Sequence, residues 1–178
     1  MAEEKKWRRE FSAGGVVFKR EKEGIKFLLG KHSGYHKWVL PKGLIEKGES
    51  SWKTAVRETE EEMGVKARVV EERPIHTERY VYVADFKSEE EQKGEEKTRR
   101  VKRYQETGGG KVKVFKTVTF YLMEYEGGDP SKHGWEMEEA GWFSYEEAVE
   151  KLAFKGEREA LKKARERVEE LTRQPRLV

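Results

Sequence analysis

Apolar and polar positions along this chain group into short blocks whose spacing changes from two to about 3.6, the periods of strand and helix. Residues 11–18 read as a strand, residues 25–31 as a second, with Glu21, Lys22, Glu23 and Gly24 as a polar break between them. Residues 32–48 are rich in Gly, Pro and Lys and read as a loop. Ser50 or Ser51 is suited to cap the next helix, in which Trp52, Ala55, Val56, Thr59 and Met63 form one apolar stripe. Gly64 is expected to end it in the left-handed position. Short strands are predicted over residues 65–71, 76–86, 112–125 and 140–143. Ser144 caps a helix to about residue 153, with Glu147 as its capping-box partner. A last helix over residues 157–171 carries a stripe of Leu161, Ala164, Val168 and Leu171. One early helix, two late helices and a mixed set of strands predict an α/β sandwich, a mixed β-sheet between α-helices.

Residues 87–110 break this pattern. They hold few apolar residues, run from acidic to basic (Arg99, Arg100, Lys102, Arg103), and end in Gly108, Gly109 and Gly110. The expectation is a mobile insertion within a single domain spanning residues 1–178. The chain is 41% charged and 35% apolar, yet its formal net charge is only +3. That balance excludes a strongly basic nucleic-acid binder and an acidic tail protein. The absence of cysteine excludes disulfides, thiolate nucleophiles and zinc–cysteine sites. No apolar run reaches the length of a membrane span, and the first ten residues lack the apolar stretch of a secretory signal, so the expected location is the cytoplasm. Dense Glu, Lys and Arg without Cys also fits a thermophilic source.

The candidate chemistry lies in and before the first helix. Gly43 is followed after five residues by Glu49, and after seven more by Arg57, Glu58, Thr59, Glu60, Glu61, Glu62, Met63 and Gly64. Glu58, Glu61 and Glu62 stand at i, i+3 and i+4, which puts them on one face, opposite the apolar stripe. Carboxylates so close repel one another unless a cation lies between them, and a hard divalent ion with oxygen ligands is the chemically matched one. Such an ion neutralises phosphate charge and makes a water more acidic. Arg57 is placed to fold back on Glu49 and lock the loop onto the helix, and Gly43 and Gly48 permit a tight turn ahead of it. A bare glutamate face is common on solvated helices. Seven fixed residues at this spacing, however, would match by chance on the order of once per million start positions.

That spacing resembles the Nudix box, with Thr59 where the family usually has an aliphatic residue. The resemblance implies the Nudix fold and hydrolysis of a pyrophosphate bond in a nucleoside diphosphate linked to another group. It implies Mg2+ or Mn2+ held by Glu58, Glu61 and Glu62, with the Gly43 carbonyl as a further ligand, and a small nucleotide as substrate. Trp38-Val39-Leu40-Pro41-Lys42-Gly43 resembles the approach to the box in dinucleoside polyphosphate hydrolases, where Lys42 would contact phosphate. The segment 115–122 resembles a strand of the bacterial diadenosine polyphosphate hydrolases, which would make Lys116 a second phosphate contact and Tyr121 a stacking surface. Tyr82, with Tyr80, lies near where a tyrosine marks that branch. The segment 135–140 resembles the loop that brings an acidic residue to the metal site, with Glu136 the first choice and Glu139 the second. The tail from Ser144 through Phe154-Lys155-Gly156-Glu157-Arg158 is also similar to this branch. Either Glu58 or Glu136 would serve as general base. Nucleoside triphosphates, ADP-ribose and diphosphoinositol polyphosphates are the competing substrates. A non-catalytic RNA- or nucleotide-binding module is the competing class, weakened by the intact carboxylates and by the isolation of the Arg99–Arg103 cluster. Oligomeric state is not readable from the sequence.

Overall fold

The computed structural model describes residues 7–86 and 110–174. The predicted insertion therefore lies outside the described residues, except for Gly110, which opens a strand. The strands are β1 (Trp7–Glu21), β2 (Gly24–His32), β3 (Trp38–Val39), β4 (Lys42–Leu44), β5 (Val65–Val69), β6 (His76–Phe86), β7 (Gly110–Gly128) and β8 (Met137–Phe143). The helices are α1 (Ser51–Met63), α2 (Tyr145–Lys151) and α3 (Lys155–Arg173), with a 3-10 turn at Pro130–Lys132. The loop expected over residues 32–48 contains β3 and β4. At two and three residues these strands are too short to show a period, and pairing with β2 and β1 creates them.

The chain divides into two compact units, the larger formed by Ser12–Glu78 and Val118–Val178. Within it β1 pairs antiparallel with β2 and β4, β2 with β3 and β8, and β5 with β7. Successive side chains of the central strands leave opposite faces of the sheet and are buried on both. Val16 and Phe18 of β1, Phe27 and Leu29 of β2, and Val118, Phe120 and Leu122 of β7 join Leu161, Ala164 and Val168 of α3 in one core layer. Their neighbours Ala13, Val17, Leu28, Tyr121 and Met123 join Ala55 and Met63 of α1 in the other. The result is the predicted mixed sheet between helices. Ser144 and Glu147 form the expected capping box at the start of α2.

The smaller unit comprises Met1–Phe11 and Arg79–Thr117. In it the rings of Trp7 and Phe115 stack with centroids 4.7 Å apart, and Glu10 is buried. No helix among the described residues is long and apolar enough to cross a membrane.

Candidate active site

Helix α1 starts after Ser50, whose backbone is extended but whose side chain makes no capping bond. It ends at Gly64 with φ 68°, where the Gly64 N–H donates to the Glu60 carbonyl at 3.0 Å. Nearly two turns into the helix, Arg57 lies across the preceding loop. Its Nε donates to Glu49 Oε2 and its Nη2 to Glu49 Oε1, both at 2.8 Å, a two-pronged pairing. Nη2 also reaches the Leu44 carbonyl at 3.1 Å, while Nη1 donates to Glu58 at 2.7 Å and to Glu61 at 3.1 Å. Arg57, with the Thr54 hydroxyl as a second donor, holds the Glu49 carboxyl down to about 2. Thr59, the departure from the aliphatic pattern, is fully buried, and its hydroxyl donates to the Ala55 carbonyl at 2.8 Å. Its methyl can therefore pack without leaving a donor unsatisfied.

The glutamate face is not the solvated face that helical spacing alone suggests. Glu58 is 6% exposed and Glu62 7%, and of the three only Glu61 reaches well into solvent. The reason is β4, which covers that side of α1. A Cβ on Gly43 would lie 2.2 Å from the Glu58 carboxyl carbon, so only glycine lets the carboxyl rest against the strand. The Lys42 peptide N–H donates to Glu62 Oε2 at 3.0 Å. Burial pushes the Glu62 carboxyl well above the usual range. The charge of Lys42 opposes this, and the carboxylates of Glu58 and Glu136 reinforce it. Glu136 thus lies within electrostatic reach of the box. Its carbonyl accepts from the Ser33 N–H at 2.9 Å and from the Ser33 hydroxyl at 3.0 Å. Glu139 is turned elsewhere, 3.8 Å from Lys31.

No group of three or more acidic or imidazole side chains among the described residues converges tightly enough to enclose a metal ion, and Arg57 pairs with both Glu58 and Glu61. The donors nonetheless match a hard divalent cation. They are carboxylate oxygens, two groups are withdrawn from water, and Glu62 is disfavoured as an anion partly by the other carboxylates, a penalty that a cation would relieve.

Each expected substrate contact has a partner within the protein. Lys42 does not stand as an unpaired cation: its Nζ is 2.9 Å from Oε1 of Glu157, a carboxylate only 1% exposed. Opposing the desolvation of its own burial, Glu157, Tyr35 and Glu62 together raise the Lys42 pKa. Tyr121 offers no stacking surface. Its ring is buried in the α1-side core and its hydroxyl is hydrogen-bonded to Ser51. Lys116 and Tyr82 both belong to the smaller unit, where the Lys116 ammonium lies 3.6 Å from Glu10 and the Tyr82 hydroxyl donates to Glu10 at 2.9 Å. The expected phosphate and base contacts there are thus engaged with a buried glutamate.

Three groups had no role assigned from the sequence, although two of them, Phe154 and Glu157, stand in the family-like tail. Glu157 stands four before Leu161, in line with the buried stripe of α3, and a charged residue on an apolar stripe was the available signal. Tyr35 and Phe154 are 43% and 46% exposed, with centroids 6.2 Å apart edge to face, and Tyr35 stacks on His32 at 4.0 Å. They lie in segments with no period to mark them.

Comparison with known proteins returns one family and a graded set of relatives. The family model for the NUDIX domain matches residues 8–164. The protein MutT4 of Mycobacterium tuberculosis is 30% identical over 169 residues, which cover 91% of this chain and 57% of that protein. The asymmetrical bis(5'-nucleosyl)-tetraphosphatase of Sus scrofa is 43% identical over 63 residues, 32% of this chain and 43% of that enzyme. This chain thus spans less than two thirds of the length of either. Among solved structures, a Caenorhabditis elegans Ap4A hydrolase binary complex superposes with a TM-score of 0.63 at 22% identity, covering 90% of this chain and 98% of that one. That likeness is one of fold.

Proposed function

The chain belongs to the NUDIX family, and on that premise we propose that it is a pyrophosphohydrolase acting on a dinucleoside polyphosphate with four or more bridging phosphates. The observation that carries the proposal is the juxtaposition around Lys42. Beside it are the buried box carboxylates, with Glu62 bonded to the Lys42 peptide. Also close to Lys42 is Tyr35, with the exposed ring of Phe154 beside it. An anionic bridge suits the box, and a nucleobase suits the two rings, since flat aromatic surfaces left open to solvent stack bases. The short, closely matched stretch shared with the Sus scrofa tetraphosphatase supports the same reading.

Glu58, Glu61 and Glu62, with the Gly43 carbonyl, would hold Mg2+ or Mn2+. When bound, the ion supplies neutralisation of phosphate charge and acidification of a water. The remaining work falls to the chain. Arg57 and Glu49 clamp the loop to α1. Lys42 lies at the edge of the site, its side chain 18% exposed, where it would orient the polyphosphate bridge. Glu136 is the better placed of the two candidate bases, because the Glu58 carboxylate is already bonded to Arg57 and packed on Gly43. Glu136 would take the proton from water as its oxygen attacks phosphorus in line with the departing phosphate. One anhydride P–O bond breaks, and a four-phosphate bridge yields a nucleoside triphosphate and a monophosphate.

The test is a substrate panel with product analysis and reaction in ¹⁸O-water. Label in the monophosphate and kcat/KM highest for the four-phosphate dinucleotide are expected. Faster cleavage of ADP-ribose or of a simple triphosphate would overturn the branch while leaving the family intact.

A further inference from the structure

Glu157 is a buried acid for which neither the metal site nor the fold has an obvious use. It sits in the first turn of α3, on the stripe otherwise formed by Ala160, Leu161, Ala164 and Val168. Its charged neighbour is Lys42 at 2.9 Å, and beyond that contact neither carboxylate oxygen has an aligned hydrogen-bond partner among the described residues. The Leu40 peptide lies close enough to favour the charge. Withdrawing a carboxylate and an ammonium from water costs several kcal/mol per ion, and a well-packed apolar pair of similar volume is often as stable or more so. Stability therefore does not explain the pair.

Its position does. Lys42 carries two groups that face two different carboxylates. The peptide N–H holds Glu62 Oε2 at 3.0 Å, while the ammonium at the end of the same residue is turned to Glu157. Glu62 is buried, accepts from the peptide N–H of Lys42 itself, and already feels the Lys42 charge. Without Glu157, Glu62 is the remaining carboxylate whose charge acts on the Lys42 ammonium.

We propose that Glu157 is a positioning residue: a buried counter-ion that keeps the Lys42 ammonium off Glu62, so that the Glu62 carboxylate stays available to a divalent cation. The inference rests on the reading of Glu58, Glu61 and Glu62 as the cation site, and the test separates the two.

The probe is Mn2+ alone, titrated into the full chain without nucleotide and followed by electron paramagnetic resonance. The wild type should bind Mn2+, and Glu62→Gln should lose much of that binding. If it does not, the metal site itself is wrong. With that established, Glu157→Gln should weaken Mn2+ binding roughly 10- to 100-fold, the range for partners that orient metal ligands. Removing the ammonium as well, in the double variant Lys42→Met with Glu157→Leu, should restore affinity to near the wild-type value, since the Lys42 peptide N–H to Glu62 remains. The double variant should also melt no lower than wild type. Glu157→Asp, which keeps the charge but shortens the reach, should be intermediate, and it carries the test if Glu157→Gln does not fold. Wild-type Mn2+ affinity in Glu157→Gln, or in Glu157→Asp where Gln cannot be used, would overturn the proposal. So would a double variant that binds as weakly as the single one.

Discussion

Arg57 gathers more of the site's polar geometry than any other single side chain described above. Its planar fork meets Glu49 with two parallel bonds and spends its remaining donors on Leu44, Glu58 and Glu61. Lysine has one charge centre and cannot reproduce that fork. Arg57→Lys should therefore lower stability by about 1.5–3 kcal/mol, the scale of a hydrogen bond to a charged group, and lower turnover as well. Chemical denaturation and steady-state kinetics on the same preparation would check both. The Glu49 carboxyl, held down to about 2 from an ordinary 4.5, adds a pH signature. A depressed carboxyl contributes stability that is complete above its unfolded value and is lost as pH falls through its folded value. The stability gap between wild type and Glu49→Gln should thus be constant above about pH 5.5 and shrink progressively toward pH 2. A gap that persists undiminished at pH 2 would assign the effect to packing.

At the scale of elements, α1 and β4 make one device. The helix places Glu58 and Glu62 on the side that β4 covers, and β4 is able to cover it because Gly43 has no Cβ. Gly43→Ala would force the Glu58 carboxyl to move, and Arg57 resists that movement from the far side. A displacement of about an ångström at a reacting centre costs on the order of 100-fold in rate. Activity in Gly43→Ala should fall by that order, while circular dichroism and melting temperature change little. The capping box of α2 belongs to the scaffold instead. Ser144→Ala should cost about 1 kcal/mol of stability and leave kcat/KM at the wild-type value, so the two substitutions separate site geometry from helix stability.

For the molecule as a whole, the larger unit owes its stability to burial on both faces of the sheet. Phe120 is completely buried in the layer shared with α3. Phe120→Ala should destabilise by about 3–5 kcal/mol, the loss of transfer energy plus the cavity left behind. The midpoint of urea denaturation would measure it. Tyr121, one position along and facing the opposite layer, touches Ser51 at the start of α1. Tyr121→Phe keeps the ring and removes the bond, so it should cost about 1 kcal/mol and leave KM unchanged. A raised KM in that variant would return Tyr121 to the substrate site.

The local features were written in the sequence. The 3.6 spacing of α1, the left-handed glycine after it, the capping box of α2 and the apolar runs of β1 and β2 each depend on neighbours a few positions away, and short-range pattern records such neighbours. So does the spacing that joins Gly43, Glu49, Arg57 and the three glutamates. What the tertiary structure decided is everything that depends on which distant segment comes to lie opposite. The strands β3 and β4 exist only as partners of β2 and β1. Helical spacing put the glutamates opposite an apolar stripe, but only the approach of β4 decided that Glu58 and Glu62 are buried. Tyr121 became a core residue by packing with Ala55 and Met63 of α1, and Lys42 became half of an ion pair through Glu157, each partner far away in the chain. Periodicity tells a residue's face on its own element, whereas burial, partners and charge state are set by the element packed against that face. For that reason the chemistry of the box was legible in one dimension, and the setting of its lysine was not.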